Sequence, residues 1–111
     1  MSRIEYADFD RVEMRVGRIL GAEPLQGARK PAYKLEIDFG EMGTRRSSAQ
    51  ITALYRPEEL VGRLVVAVTN FPPKRIAGFV SEVLVLGAPD DRGEVVLLAP
   101  THDVPLGGRI F

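Results

Sequence analysis

Three pairs of adjacent cations give this sequence its most evident chemistry. They are Arg29-Lys30, Arg45-Arg46 and Lys74-Arg75. Neighbouring positive charges can neutralise phosphate oxygens, which supplies affinity for a nucleic acid without reading its bases. The third pair follows Pro72-Pro73. Because proline fixes φ and lacks an N–H, the double proline predicts a stiff loop that projects Lys74 and Arg75. An ion pair with an acid such as Glu82 is the alternative role for these two side chains.

Polar and aromatic side chains add a second kind of chemistry. Ser48 and Gln50 are two residues apart in a predicted strand, so they share a face and can offer a hydroxyl and an amide to one ligand. Cross-strand hydrogen bonding on an exposed sheet is the alternative. Phe71 and Phe79 bracket the proline-rich insert, where an aromatic ring can stack on a base or contact an unfolded polypeptide. Alternatively, both rings anchor the insert to the rest of the protein.

Residues suited to catalysis are sparse. The sequence has one histidine, His102, and no cysteine, so it lacks the spacing of a metal site or a catalytic triad. It also lacks a glycine-rich phosphate loop. We therefore expect a binding protein with no enzymatic activity, no catalytic residue, no metal and no cofactor.

Composition predicts one soluble domain over residues 1–111, with 45% apolar and 27% charged residues. The absence of cysteine suits a reducing compartment, and no segment has the pattern of a signal peptide or a membrane span, so we expect a cytoplasmic protein. Net charge is zero, but residues 24–81 contain nine Lys and Arg against five acids. A local basic patch is therefore expected in this part of the chain.

The elements that must position these residues are mostly strands. Tyr33–Phe39 alternates apolar and charged residues, as a strand with one buried face does. The other elements are predicted, in chain order, as a lead-in at 4–10 capped by Asp8 or Asp10, a strand from Val12 with a bend or bulge at Gly17 and Gly21, a polar strand at 44–52, helical turns within 53–61 starting at Pro57, strands at 63–70 and 80–86, and a hairpin turn at 88–93 leading to 95–98.

This order predicts an all-β OB-fold, a five-stranded Greek-key barrel with a short helix between strands three and four and extra terminal segments. Such barrels bind ligands on strands two and three, between the loops that join strands one to two and four to five. These loops contain Arg29-Lys30 and Lys74-Arg75, and strand three opens with Arg45-Arg46. We therefore predict that these cations form a basic rim around the ligand site.

Three segments, Leu64–Val68, Val83–Leu86 and Val95–Leu98, are apolar without alternation. A barrel buries one face of each strand, so a continuous apolar strand needs cover on its outer face too. We expect that cover from the terminal segments, from a second subunit, or from both. The large apolar residues Ile110 and Phe111 predict a C-terminal segment anchored by burial.

Two long motifs carry a resemblance to a known family. They are Ser47–Thr52 and Asn70–Gly87, and they are accompanied by Asp8-Phe9 and Arg15-Val16-Gly17 near the start. Together they resemble the CsaA family, part of the larger group of tRNA-binding OB domains that are also appended to methionyl-tRNA and phenylalanyl-tRNA synthetases. Val83-Leu84 stand where the wider group usually has Gly-Met, a departure that favours the CsaA branch.

This resemblance implies a homodimer that holds unfolded or precursor polypeptides for protein export and passes them to the secretion machinery. It also implies the alternative of tRNA binding on the same face. By position, it places the ligand pocket around Ser48, Gln50, Asn70, Arg75 and Ser81. Phe71 is added to this candidate set on the reasoning given above. Polypeptide and RNA remain alternatives at this stage, since one groove with cations at its rim suits both.

Overall fold

The computed structural model describes residues 2–111, which are built mainly of short strands. In chain order the elements are α1 (Tyr6–Asp10), β1 (Met14–Pro24), β2 (Tyr33–Asp38), a 3-10 turn (Gly40–Met42), β3 (Thr44–Ala49), α2 (Pro57–Leu60), β4 (Leu64–Val68), β5 (Lys74–Ile76), β6 (Phe79–Ser81), β7 (Leu84–Val85), β8 (Gly87–Pro89) and β9 (Val95–Leu97). One antiparallel sheet has the order β3-β2-β1-β4-β7, and β5-β6 and β8-β9 form two smaller sheets.

Strand β1 is long because it serves two partners. Met14–Arg18 pairs with β4, and Arg18–Pro24 pairs with β2. The register shifts between Ile19 and Gly21, which confirms the irregularity predicted at Gly21. Gly17 instead pairs in regular register, and a Cβ at this position would clash with side chains of the core.

The barrel interior is filled by alternate residues of the central strands. Tyr33, Leu35 and Ile37 are buried while Glu36 between them is exposed, so the alternation predicted for strand two is confirmed. The core consists of Ile19, Tyr33, Leu35, Ile37, Phe39, Ile51, Leu60, Val65, Ala67 and Val83. With α2 between β3 and β4, this is the predicted all-β OB-type barrel.

Side chains complete the last junction of the barrel, between β3 and residues 81–83, which we call the seam. The buried Ser47 hydroxyl donates to the Val83 carbonyl at 3.0 Å. The Glu82 N–H donates to the Arg46 carbonyl at 2.7 Å, and the Arg46 N–H donates to Glu82 Oε1 at 3.0 Å. One edge of β3 pairs with β2 in a regular antiparallel ladder, whereas its other edge, at the seam, is joined through these side-chain and backbone hydrogen bonds.

The C-terminal segment covers the outer face of β1 and β4. We call residues 106–110 the strap. Leu106 and Ile110 pack against the second apolar cluster, whose buried members are Val16, Leu64 and Val66. The Ile110 N–H donates to the Met14 carbonyl at 2.9 Å, which extends the sheet along β1. Cover by a terminal segment is therefore confirmed for β4, but Phe111 is fully exposed and contributes no burial.

The proline-rich insert differs from its prediction as a loop. Lys74–Ile76 forms β5 and pairs with Phe79–Ser81, so the insert is a two-stranded hairpin and predicted strand five is split into β6 and β7. Ala77 and Gly78 both have positive φ, 51° and 79°, as tight hairpin turns require. Pro72 and Pro73 lie between β4 and β5, and the N–H groups that follow them are free to pair with the returning chain.

The two short helices begin with reciprocal hydrogen bonds. In α1 the Glu5 N–H donates to Asp8 Oδ2 at 2.9 Å, so Asp8, one of the two predicted caps, acts from the third helical position. In α2 the Arg56 N–H donates to Glu59 Oε1 at 2.9 Å, and this bond lowers the pKa of the Glu59 carboxyl. Pro57 is the first residue of α2, as predicted.

Candidate ligand groove on the β3 face

Four of the predicted basic residues converge on one concave surface. The β5–β6 hairpin stands opposite the loop between β1 and β2, and the end of β3 forms the floor between them. The resulting depression, of about 430 Å³, is called the basic depression here. Its lining includes six residues of the predicted site and rim, namely Arg29, Lys30, Ser48, Gln50, Lys74 and Arg75.

The cations of the basic depression are available to a ligand. Within residues 2–111 the ion pairs involve Arg15, Lys34 and Arg56, and none involves Arg29, Lys30, Lys74 or Arg75. Arg75 makes only a long contact, 3.4 Å, from Nη1 to the carbonyl oxygen of Gly78. The alternative pairing of Lys74 or Arg75 with Glu82 is absent from these ion pairs. All four cations are exposed, so their charges face solvent.

An apolar depression of about 370 Å³ adjoins the basic one. Its apolar lining is Phe71, Pro72, Ile76, Val83 and Leu84. Phe71 is 52% exposed and Leu84 is 50% exposed, so both present apolar surface to solvent. Ser48, Lys74 and Ile76 line both depressions, which makes them one continuous groove.

Two residues of the predicted site act mainly within the protein. The Ser81 hydroxyl accepts a hydrogen bond from the Ser48 N–H at 3.0 Å and lies 3.4 Å from the Val83 carbonyl, so it ties β6 to β3. Ser81 nevertheless lines the apolar depression. Asn70 lies outside both depressions, and its amide bridges the Arg11 carbonyl and the Glu13 N–H at 2.7 and 2.9 Å. Its role in ligand binding stays a prediction that these bonds do not support.

Arg45 and Arg46 diverge because successive strand residues point to opposite faces. The Arg46 guanidinium lies over the Phe79 ring, 4.9 Å from its centroid, and lines a separate depression with Lys34 and Glu36. Arg45 is half-buried and donates to the Thr44 carbonyl at 3.2 Å. Neither arginine lines the groove, so the predicted rim is brought together only in part.

Phe71 and Phe79, the two aromatic residues that bracket the proline-rich insert, have different environments. Phe79 is buried and packs beneath Arg46, which matches the anchoring alternative. Phe71 is exposed and lines the apolar depression, where a ligand can reach it. The sequence reasoning missed Pro72, Ile76 and Leu84 as lining residues. Ile76 was the available signal, since an apolar residue beside two exposed cations is unusual on a solvated hairpin.

In the part of the chain that the structure describes, no group of three or more His, Cys, Asp or Glu residues is placed to hold a metal ion. No helix among residues 2–111 has the length and apolar character needed to cross a membrane.

Comparisons with known proteins show which proteins the chain resembles in sequence and fold. A family model described as "Putative tRNA binding domain" matches residues 14–109. The crystal structure of the chaperone CsaA from Bacillus anthracis strain Ames is 52% identical with a TM-score of 0.93, covering 99% of this chain and 100% of that chain. The CsaA chaperone protein from Picrophilus torridus is 49% identical with a TM-score of 0.91, covering 98% and 100%.

A curated relative matches over part of its length only. Methionine–tRNA ligase of Methanosarcina acetivorans is 36% identical over 110 residues, which is 99% of this chain. The chain spans 15% of the length of that ligase.

Proposed function

Because this chain belongs to the CsaA family, within the family of tRNA-binding domains, we propose that it is a non-catalytic chaperone that binds unfolded or precursor polypeptides. The observation that carries this proposal is the exposed apolar depression around Phe71 and Leu84. An unfolded polypeptide buries its own apolar side chains there, and burial of apolar surface supplies the affinity.

The test is binding of a permanently unfolded protein, such as reduced and carboxymethylated α-lactalbumin, followed by fluorescence anisotropy. Phe71→Ser should weaken binding about five- to tenfold, since an exposed aromatic anchor at an interface carries roughly 1 kcal/mol or more. Phe111→Ser is the matched control, because Phe111 is fully exposed and lies outside the groove. Equal losses for the two variants, or no binding by the unaltered protein, would refute the proposal.

The finer part of the proposal concerns export. We propose that the protein acts in the cytoplasm as a homodimer and passes precursors to the secretion machinery, as membership of the CsaA family implies. A purified precursor and its mature form, both held unfolded, should be compared as ligands and then offered to the isolated secretion machinery. Transfer of the precursor from the protein to that machinery is the expected result, and failure of transfer would contradict the export role.

A second candidate function is tRNA binding on the same face. The observation in its favour is the convergence of Arg29, Lys30, Lys74 and Arg75, without ion-pair partners within residues 2–111, around the basic depression. Phosphates that bind there release condensed counterions, so affinity for tRNA must fall steeply with salt.

The variant Lys74→Ala/Arg75→Ala separates the two functions. It should weaken tRNA binding and flatten the dependence of log affinity on log salt by up to about two units, one for each lost phosphate contact. Polypeptide binding should fall much less, because salt does not screen apolar burial and, of the two cations, only Lys74 lines the apolar depression. Titrations of both ligands at two salt concentrations provide the measurement. Equal losses for both ligands would mean a single charge-driven site.

A further inference from the structure

The basic and apolar depressions share their boundary. Ser48, Lys74 and Ile76 line both of them, although each depression is small, about 430 and 370 Å³. A lysine side chain has an apolar stem and a charged head, so Lys74 can contribute to either kind of contact. A polymer that occupies one depression therefore contacts side chains that a polymer in the other depression also needs.

The two depressions also demand opposite chemistry from a ligand. Arg29, Lys30 and Arg75 favour negatively charged groups of a ligand, whereas Phe71 and Leu84 favour apolar groups. A phosphate chain satisfies the cations but gains nothing from apolar side chains, and an apolar polypeptide satisfies the reverse set. Neither ligand helps to bind the other, so shared contacts leave competition as the net effect.

We propose that a phosphate-rich polyanion in the basic depression excludes the polypeptide from the apolar depression. Binding of the polyanion would then release the bound polypeptide. This inference rests on the proposed polypeptide-binding function. The shared chemistry is a chain of phosphates, whether from RNA or from inorganic polyphosphate. Binding of the two ligands is linked, so the polypeptide must weaken polyanion binding by the same factor.

Displacement of a labelled polypeptide tests the proposal. Carboxymethylated α-lactalbumin is bound first, and inorganic polyphosphate or tRNA is then titrated against it at fixed ionic strength. For exclusive binding, a polyanion at ten times its own Kd should raise the apparent Kd of the polypeptide about elevenfold, and the rise should continue with concentration. The polyphosphate and tRNA arms show whether a simple phosphate chain is enough or RNA is required.

Charge variants assign the effect to the groove. The variant Arg29→Ala/Arg75→Ala should require several-fold more polyphosphate to displace half of the bound polypeptide. The polyphosphate concentration is corrected for each variant's own Kd for the polypeptide. Arg3→Ala/Arg92→Ala removes the same charge from exposed positions elsewhere and should behave as the unaltered protein. Equal effects of the two double variants would overturn the assignment to the basic depression.

The possible failures are distinguishable. If the polypeptide stays bound while separately measured polyanion binding saturates, a ternary complex exists; the exclusion is then wrong and the chaperone function stands. If no polypeptide binds in the absence of polyanion, the proposed function is wrong and the control by polyanion falls with it. A plateau in apparent Kd at a modest factor would likewise overturn exclusion in favour of weak coupling.

Discussion

At the scale of single residues, two neighbouring serines of the groove have different tasks. The Ser81 hydroxyl is a partner of the Ser48 N–H, and Ser81 is only 9% exposed. The Ser48 hydroxyl is half-exposed and forms none of the hydrogen bonds found within residues 2–111. Ser81 thus ties the hairpin to β3, whereas the Ser48 hydroxyl is accessible in the groove.

The difference predicts opposite outcomes for two identical substitutions. Ser81→Ala should lower the free energy of unfolding by about 1–3 kcal/mol, since it leaves the Ser48 N–H without its partner. Ser48→Ala should change stability by less than about 0.5 kcal/mol but should alter ligand affinity. Urea denaturation followed by circular dichroism measures both. A stable Ser81→Ala variant would show that the seam does not depend on this hydroxyl.

At the scale of elements, the strap is held by two apolar side chains, Leu106 and Ile110. Ile110 packs on the cluster of Val16, Leu64 and Val66, while Phe111 beyond it is fully exposed. Removal of residues 108–111 also takes away hydrogen bonds to the carbonyl of Met14 and the N–H of Val16. The strap therefore combines strand pairing with apolar cover.

We predict that Ile110→Ala lowers the free energy of unfolding by about 1–2 kcal/mol, less than the 2–5 kcal/mol of a fully buried isoleucine because Ile110 is half-buried. Phe111→Ala should have no effect beyond about 0.5 kcal/mol. Deletion of 108–111 should cost at least as much as Ile110→Ala. Thermal and urea unfolding supply the measurements, and an unchanged midpoint after deletion would refute the role of the strap.

Elements that follow local rules were predictable from sequence, and those that depend on distant partners were not. The alternation of Tyr33–Phe39 and the place of Pro57 identified β2 and α2, because burial and φ preference act locally. The hairpin at Lys74–Ile76 was missed, since strand propensity there is weak and only pairing with β6 makes it a strand. The internal use of Asn70 depends on residues almost sixty positions earlier, which no local pattern reveals.

At the scale of the whole molecule, apolar surface remains uncovered at β9, outside the groove. Val96 and Leu98 are 40% and 43% exposed. The strap packs on the cluster of Val16, Leu64 and Val66, to which neither Val96 nor Leu98 belongs. A second copy of the chain is the expected cover, and a specific dimer of this kind buries roughly 1,200–2,000 Å².

Light scattering should accordingly give twice the 12.2 kDa mass of one chain at micromolar concentration. Val96→Glu/Leu98→Glu should shift the protein toward monomer, because it places charges in an apolar interface. Leu20→Glu/Val61→Glu changes two comparably exposed apolar residues elsewhere and serves as the control. A 12 kDa species for the unaltered protein would contradict the dimer.

Pairing of the strap with β1 has a consequence for synthesis on the ribosome. The backbones of Arg15 and Arg109 form an isolated antiparallel β-bridge, and Val16 exchanges backbone hydrogen bonds with Gly107 and Gly108. About ninety residues separate these partners, which translation at 5–20 residues per second makes in roughly 5–20 s. Through that interval the nascent chain keeps one edge of its first strand unpaired, and such an edge is prone to pair with other chains. A protein proposed to shield unfolded polypeptides thus passes through a period in which it needs shielding itself.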